Sequence, residues 1–222
     1  MARVALNREV FVDAALELIH ASGVEQFSMR KVATSLGVSP MAAYKHFAGK
    51  EALLVAALDA FIARAEVLPT VELPWAQWLE HVALRMYRAL SRDRSWVSLL
   101  GCITLGDQAA SVTDTVIQRL LAEGFSVEQA MAAYFSLLQL VTGAVCLRAS
   151  LRGQAENIDN TALSPVTSRY LQSADKLRLQ VAPALEHAIQ QEPITISLPL
   201  LFSALQQQLD AASHHPRPPS AL

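Results

Sequence analysis

From Ser28 to Phe47 the chain reads SMRKVATSLGVSPMAAYKHF, and this stretch constrains the fold more than any other. Ser28 can cap a helix over MRKVATSL, Gly37 supplies the left-handed residue that ends it, Ser39 caps again, and Pro40 occupies a first helical position where its missing N–H costs nothing. Two helices this short are unstable alone, so their neighbours must hold them. Val32, Leu36, Val38, Ala43 and Phe47 offer apolar contact between them, and Ala33 is small enough for close approach. A bracing helix is predicted upstream, where Asn7 caps a face of Phe11, Ala14, Ala15, Leu18 and Ile19 that stops at Ser22-Gly23. Downstream, Gly49 breaks the chain and Lys50-Glu51 opens a longer helix through Leu53, Leu54, Ala57, Leu58, Phe61 and Ile62.

Beyond VLPTVELP the pattern changes to long helices. Pro74 starts one that carries Trp75, Trp78, Leu79, Val82, Met86 and Leu90 at helical spacing, and SRDRS ends it. WVSLLGCITLG is a short apolar segment, DQAASVTDTVIQRLLAEG an amphipathic helix closed by Gly124, and Ser126 caps an apolar helix over 126–152. GQAENIDN reads as a polar loop, and one or two helices follow with Pro183 as a breaker. ITISLPLLFSALQQQLDAA then places Leu198, Leu201, Leu205 and Leu209 on one stripe. No alternating strand pattern and no internal repeat occurs, so the expected fold is all-α. The expected domains are 1–66, with the paired short helices at about 28–47, then 67–212, then a disordered tail over 213–222.

At 52% hydrophobic and 17% charged, the 222 residues can bury a sizeable core. The formal charge of -2 hides a mildly basic N-terminal quarter, which permits a polyanionic partner without requiring one. Cys102 and Cys146 have no metal-like spacing and read as buried apolar residues. The start MARVALNREVF lacks an uninterrupted apolar run, so no signal peptide and a cytoplasmic location are expected. Residues 130–147 are uncharged over nearly a membrane-spanning length, but Ser136, Gln139 and Thr142 interrupt them, and a core or interface helix is the expected reading rather than a membrane span. No nucleophile elbow, P-loop or dinucleotide fingerprint is present, so neither catalysis nor a cofactor or metal is expected.

Two short helices around a glycine turn, braced by a third, make a helix-turn-helix, whose second helix enters the DNA major groove. On that helix Met41, Ala42 and Lys45 can point outward, while Tyr44, His46 and Lys50 form a polar rim of phosphate hydrogen-bond donors. Arg30 has the planar fork that matches guanine O6 and N7. FSMRKVATSLGVSPMAAYKHFAGKEALL closely resembles the N-terminal signature of the tetracycline-repressor (TetR) family in its capped helix, Leu-Gly-Val turn, Tyr-x-His-Phe and Lys before a Leu-Leu pair. AEGFSVEQAMAAYFSLLQLVTGAVCLRAS resembles, more weakly, the dimer helix of the tetracycline-repressor-type C-terminal domain. The resemblance implies a homodimeric repressor of near-palindromic double-stranded DNA, released by a small-molecule effector. It implies Arg30 as base reader, a recognition surface of Met41, Ala42, Ala43 and Lys45, and phosphate contacts from Tyr44, His46 and Lys50; Ser39 and Pro40 at the start of the same helix are further candidate DNA contacts. Tetracycline-binding members place histidines where this chain reads FIARAEVL and SLLGCITL, neither of which has one, so the drug does not follow from the family.

For the effector, Trp78, Trp96, Leu100, Met131, Tyr134 and Phe135 are candidates to wall an apolar pocket, with His81 and Arg85 as polar members. A small apolar or aromatic molecule is the expected ligand. For the dimer interface the candidates are Leu138, Val141, Gly143 and Val145 on one helix and Leu198, Leu201 and Leu205 on another. An activator of the same fold, a DNA-binding protein of low specificity and a small-molecule enzyme on a helical bundle are the alternatives, the last needing a catalytic constellation that the second domain does not display in sequence.

Overall fold

The computed structural model describes residues 6–100, 106–153, 164–173 and 175–214. Among these the protein is helical, with no strand: α1 (Arg8–Ser22), α2 (Met29–Ser35), α3 (Pro40–Tyr44), α4 (Lys50–Ala65), α5 (Trp75–Arg92), α6 (Asp107–Ala122), α7 (Val127–Gly153), α8 (Pro165–Tyr170), α9 (Lys176–Gln190) and α10 (Pro193–His214). Short 3-10 turns lie at Val24–Gln26, Arg94–Leu99 and Leu171–Ser173. The chain groups into two compact units, Met1–Leu73 with Arg88–Gln118, and Pro74–Tyr87 with Arg119–Leu222.

In the first unit α1 packs on both α2 and α4, and α2 packs on α3. The helix starts follow local chemistry. Asn7 Oδ1 accepts the Val10 amide at 2.9 Å and Ser28 Oγ the Lys31 amide at 3.2 Å, each satisfying a donor that the first turn leaves free. Gly37 adopts φ 68°, which only glycine takes without strain, and so turns the chain from α2 into α3. Ser39 departs from expectation: it has the extended backbone of an N-cap, but its side chain makes no capping bond. Phe11, Ala15, Ile19, Val32, Ala33, Leu53 and Ala57 are fully buried together with Phe47, so the short helices rest on a core that α1 and α4 supply.

In the second unit α7 packs along α10, and Leu137, Val141, Val145, Ile194, Leu198 and Leu205 are buried. Two sequence expectations are corrected in this half of the chain. Pro183 does not break α9, which runs through it from Lys176 to Gln190; Pro183 is exposed, so water can satisfy the carbonyl whose donor it removes. Cys146 is exposed, because it lies on the side of α7 opposite the buried stripe; Cys102 lies outside the described residues. Ser213 and His214 are in the last turn of α10; the rest of the expected tail, residues 215–222, like most of the GQAENIDN loop, lies outside the described residues. The stretch Val127–Leu151 is long and apolar enough to cross a membrane by composition, yet one stripe of it is core against α10.

Candidate nucleic-acid interface

The surface of the helix-turn-helix is built from residues that its core leaves pointing outward. Arg30 and Lys31 are exposed in the first turn of α2, and Ser39, Pro40, Met41, Tyr44 and Lys45 are exposed on α3 and its ends, with Met41 at 68% and Tyr44 at 50%. Ala42 and His46 are half-buried, and Lys50 is exposed at the start of α4. From Ser28 to Lys50 the chain carries Arg30, Lys31, Lys45 and Lys50 and no carboxylate, so this face is uniformly basic. Exposed large apolar and aromatic side chains beside uncompensated cations fit a duplex, which offers both phosphates and base edges.

Ala43 is corrected. It is 0% exposed, because the inward side of α3 is where α2 and α3 meet, so it seats the helix and cannot touch DNA. His46 also has a structural part: its ring lies 5.2 Å from that of Phe11, and its carbonyl accepts from Arg8 Nη1 at 3.1 Å. The Arg8 guanidinium sits 4.3 Å from the centroid of Phe47. Arg8 therefore clamps the C-terminal end of α3 from α1. Nothing local in the sequence links Arg8 to residues almost forty positions away. Lys31 Nζ donates to Gln26 Oε1 at 2.9 Å, whereas the Arg30 guanidinium makes no ion pair or hydrogen bond among the described residues. Lys50 Nζ lies 5.9 Å from the Phe27 ring, which holds that cation beside the entry to α2.

The expected pocket residues fall into different settings. Trp78 and Tyr134 are buried and Arg85 and Met131 half-buried in the second unit, where His81 is exposed. Trp96 is buried in the first unit, stacked 5.0 Å from Phe61 with its indole N–H donating to Asp93 Oδ2 at 3.0 Å, and Leu100 is half-buried there. Phe135, also expected in the pocket, is 54% exposed on the side of α7 away from its buried stripe. A separate groove of about 1030 Å³ runs along α8 and α9, lined by Pro165, Val166, Tyr170, Val181 and Leu185 with Arg169 and Arg178, none of them in the expected set.

The expected interface residues divide likewise. Val141, Val145, Leu198 and Leu205 are buried inside the protomer and so are not available to a partner; Leu138 and Leu201 are half-buried and Gly143 is exposed. The outward face of α7 and α10 is instead Phe135, Gln139, Gly143, Cys146 and Leu147 with Ile196 and Leu200. The structure also adds a polar tie that the sequence did not suggest: Arg148 on α7 ion-pairs with Glu192, whose Oε2 accepts from the Tyr87 hydroxyl of α5 at 2.7 Å.

A braced helix-turn-helix with a basic outward face defines a DNA-binding regulator class, and comparison with known proteins makes the class specific. Residues 11–57 match the family model described as bacterial regulatory proteins, tetR family. Tetracycline repressor protein class D of Escherichia coli is 31% identical over 142 residues, 63% of this chain and 65% of that protein. Tetracycline repressor protein class G of Vibrio anguillarum is 30% identical over 156 residues, 69% of this chain and 72% of that one. Among solved structures, the Streptomyces coelicolor TetR family protein ActR in complex with actinorhodin has a TM-score of 0.76 at 19% identity, over 93% of this chain and 98% of that chain. The chain belongs to the TetR family of bacterial regulatory proteins.

Proposed function

We propose that the protein is a cytoplasmic, homodimeric transcriptional repressor that binds a near-palindromic operator and is released from it by a small-molecule effector. Residues 1–66 form its DNA-binding domain and 67–212 its ligand-binding and dimerisation domain. The observation that carries this reading is the basic outward face of α2 and α3, Arg30, Met41, Tyr44 and Lys45, presented by helices whose inward face is fully buried. Arg30 meets base edges, with Met41, Ala42 and Lys45 beside it; Tyr44, His46 and Lys50 hold phosphates; the exposed Ser39 and Pro40 lie at the helix start. Relatives named as tetracycline repressors support repression, and a solved relative in complex with actinorhodin supports a small-molecule ligand.

The effector is a mainly apolar or aromatic molecule bound without a metal, since the two positions at which tetracycline-binding members carry histidines lack them here. Release requires only that the effector bind the non-operator conformation more tightly than the operator-bound one. The homodimer uses the outward apolar face of α7 and α10, where the exposed Gly143 allows two helices to approach closely. The experiment is retardation of the DNA upstream of this gene by the purified protein. Retention of one specific fragment, lost on adding the effector, is expected; no retention of any upstream DNA would refute the reading.

A further inference from the structure

Outside the helix-turn-helix, three arginines carry charge that the fold leaves uncompensated. Arg88 and Arg92 lie one turn apart on α5 and Arg94 opens the 3-10 turn that follows; all three are exposed. Like charges one helical turn apart repel. No ion pair or hydrogen bond engages the three side chains among the described residues. The carboxylate between them in sequence is already taken: Asp93 Oδ2 is 3.1 Å from His20 Nδ1 and accepts the Trp96 indole N–H at 3.0 Å, while Oδ1 accepts the Ser95 amide at 3.1 Å.

These bonds also fix where the arginines stand. The His20–Asp93 contact ties them to the end of α1, and the turn Arg94–Leu99 packs on Val24–Gln26, the turn that leads into α2 and Arg30. The cations thus belong to the same compact unit as the DNA-reading helices, and Arg94 opens the turn that abuts the segment entering them. Glu25 is exposed on that segment and is the opposing charge that the patch must outweigh.

We propose that Arg88, Arg92 and Arg94 form a second phosphate-binding surface, which grips duplex DNA flanking the operator half-site. The proposal rests on DNA binding by the helix-turn-helix. Guanidinium groups match phosphate oxygens in a planar fork, and the flank is already close once the half-site is bound, so even weak contacts add affinity. The added grip is blind to sequence and sensitive to salt.

The test uses a duplex selected from a random-sequence pool by the unmutated protein, trimmed to its protected core, and the same core extended by about one helical turn on each side. Affinity for both is measured across a salt series. The unmutated protein is expected to bind the extended duplex more tightly and with a steeper salt slope. Arg92→Gln with Arg94→Gln removes that gain, with a loss of about 0.9 in slope for each lost phosphate contact, and leaves the core duplex unchanged. Arg92→Lys with Arg94→Lys keeps most of the slope, which separates charge from a packing defect. Equal slopes on the two duplexes for the unmutated protein, or an equal loss on both for the glutamine variant, overturns the proposal alone. Failure of the unmutated protein to select any duplex overturns the DNA-binding reading and this proposal with it.

Discussion

Ala43 and Lys50 differ in the way they serve the same interface. Ala43 is 0% exposed where α2 meets α3, so Ala43→Leu forces extra methyl groups into a filled contact. Overpacking of this kind costs about 1–3 kcal/mol, and calorimetry is expected to show a lowered thermal midpoint with DNA affinity falling because α3 is displaced. Lys50 is exposed, so Lys50→Ala is expected to leave the midpoint unchanged and to weaken operator and random DNA alike, with a shallower salt dependence. Arg30→Ala is expected to cost about 1–3 kcal/mol per half-site and to relax preference at one base pair, because a bidentate contact discriminates among bases. Binding to matched and single-mismatch duplexes over a salt series checks the pair. Equal salt slopes and equal mismatch profiles would contradict the division.

At the scale of elements, α7 and α10 show how one helix can be apolar on two sides for two reasons. Leu205 is 4% exposed against α7 and Leu200 is 71% exposed on the opposite face of α10. Leu205→Ala is expected to destabilise the protomer by about 2–5 kcal/mol, whereas Leu200→Glu is expected to leave its fold intact and produce monomers in sedimentation at micromolar concentration. A dimeric Leu200→Glu protein would contradict the proposed face. The start of α8 is held differently, by Glu186 on α9, whose carboxylate accepts from the Ser164 hydroxyl at 2.9 Å and its amide at 3.1 Å. Hydrogen bonding by Thr167, against opposing desolvation and together with Ser164, lowers its pKa below the ordinary carboxylate value. A lowered folded pKa means that the stabilisation is present above the ordinary value and disappears as pH falls through the lowered one. Protection of the Ser164 amide, taken relative to its intrinsic exchange rate, is therefore expected to fall as acidification protonates Glu186, and Glu186→Gln to remove that pH dependence.

These elements also show what the sequence could express. The caps at Asn7 and Ser28 and the glycine turn at Gly37 are local, since each lies within four residues of the group that it serves, and local chemistry placed α1 to α4 correctly. The faces of α7 and α10 were not legible, because apolar residues surround α7 and no period distinguishes a core stripe from a partner stripe. Hence Leu198 and Leu205 were expected at the interface and Phe135 in a pocket, whereas packing buries the two leucines within the protomer and leaves Phe135 exposed. The clamp by Arg8 and the Tyr87–Glu192–Arg148 tie were illegible for a related reason, since both join residues far apart in sequence.

For the whole molecule, the proposed mechanism makes operator and effector opposing ligands of one equilibrium. Linkage is reciprocal, so operator DNA is expected to weaken effector binding by the same factor by which effector weakens operator binding, which calorimetric titration with and without the duplex measures. A homodimer presents two copies of Arg30 and α3 at once, so its preferred site carries the two-fold symmetry of the protein, with half-site centres about one helical turn or a multiple of it apart. The most direct measurement is selection of bound duplexes from a random-sequence pool by the unmutated protein, followed by sequencing. Enrichment of one inverted repeat at that spacing, lost when Arg30 and Lys45 are both replaced by alanine, is the predicted result; recovery of no enriched sequence, or of the same one with the double variant, would contradict the account.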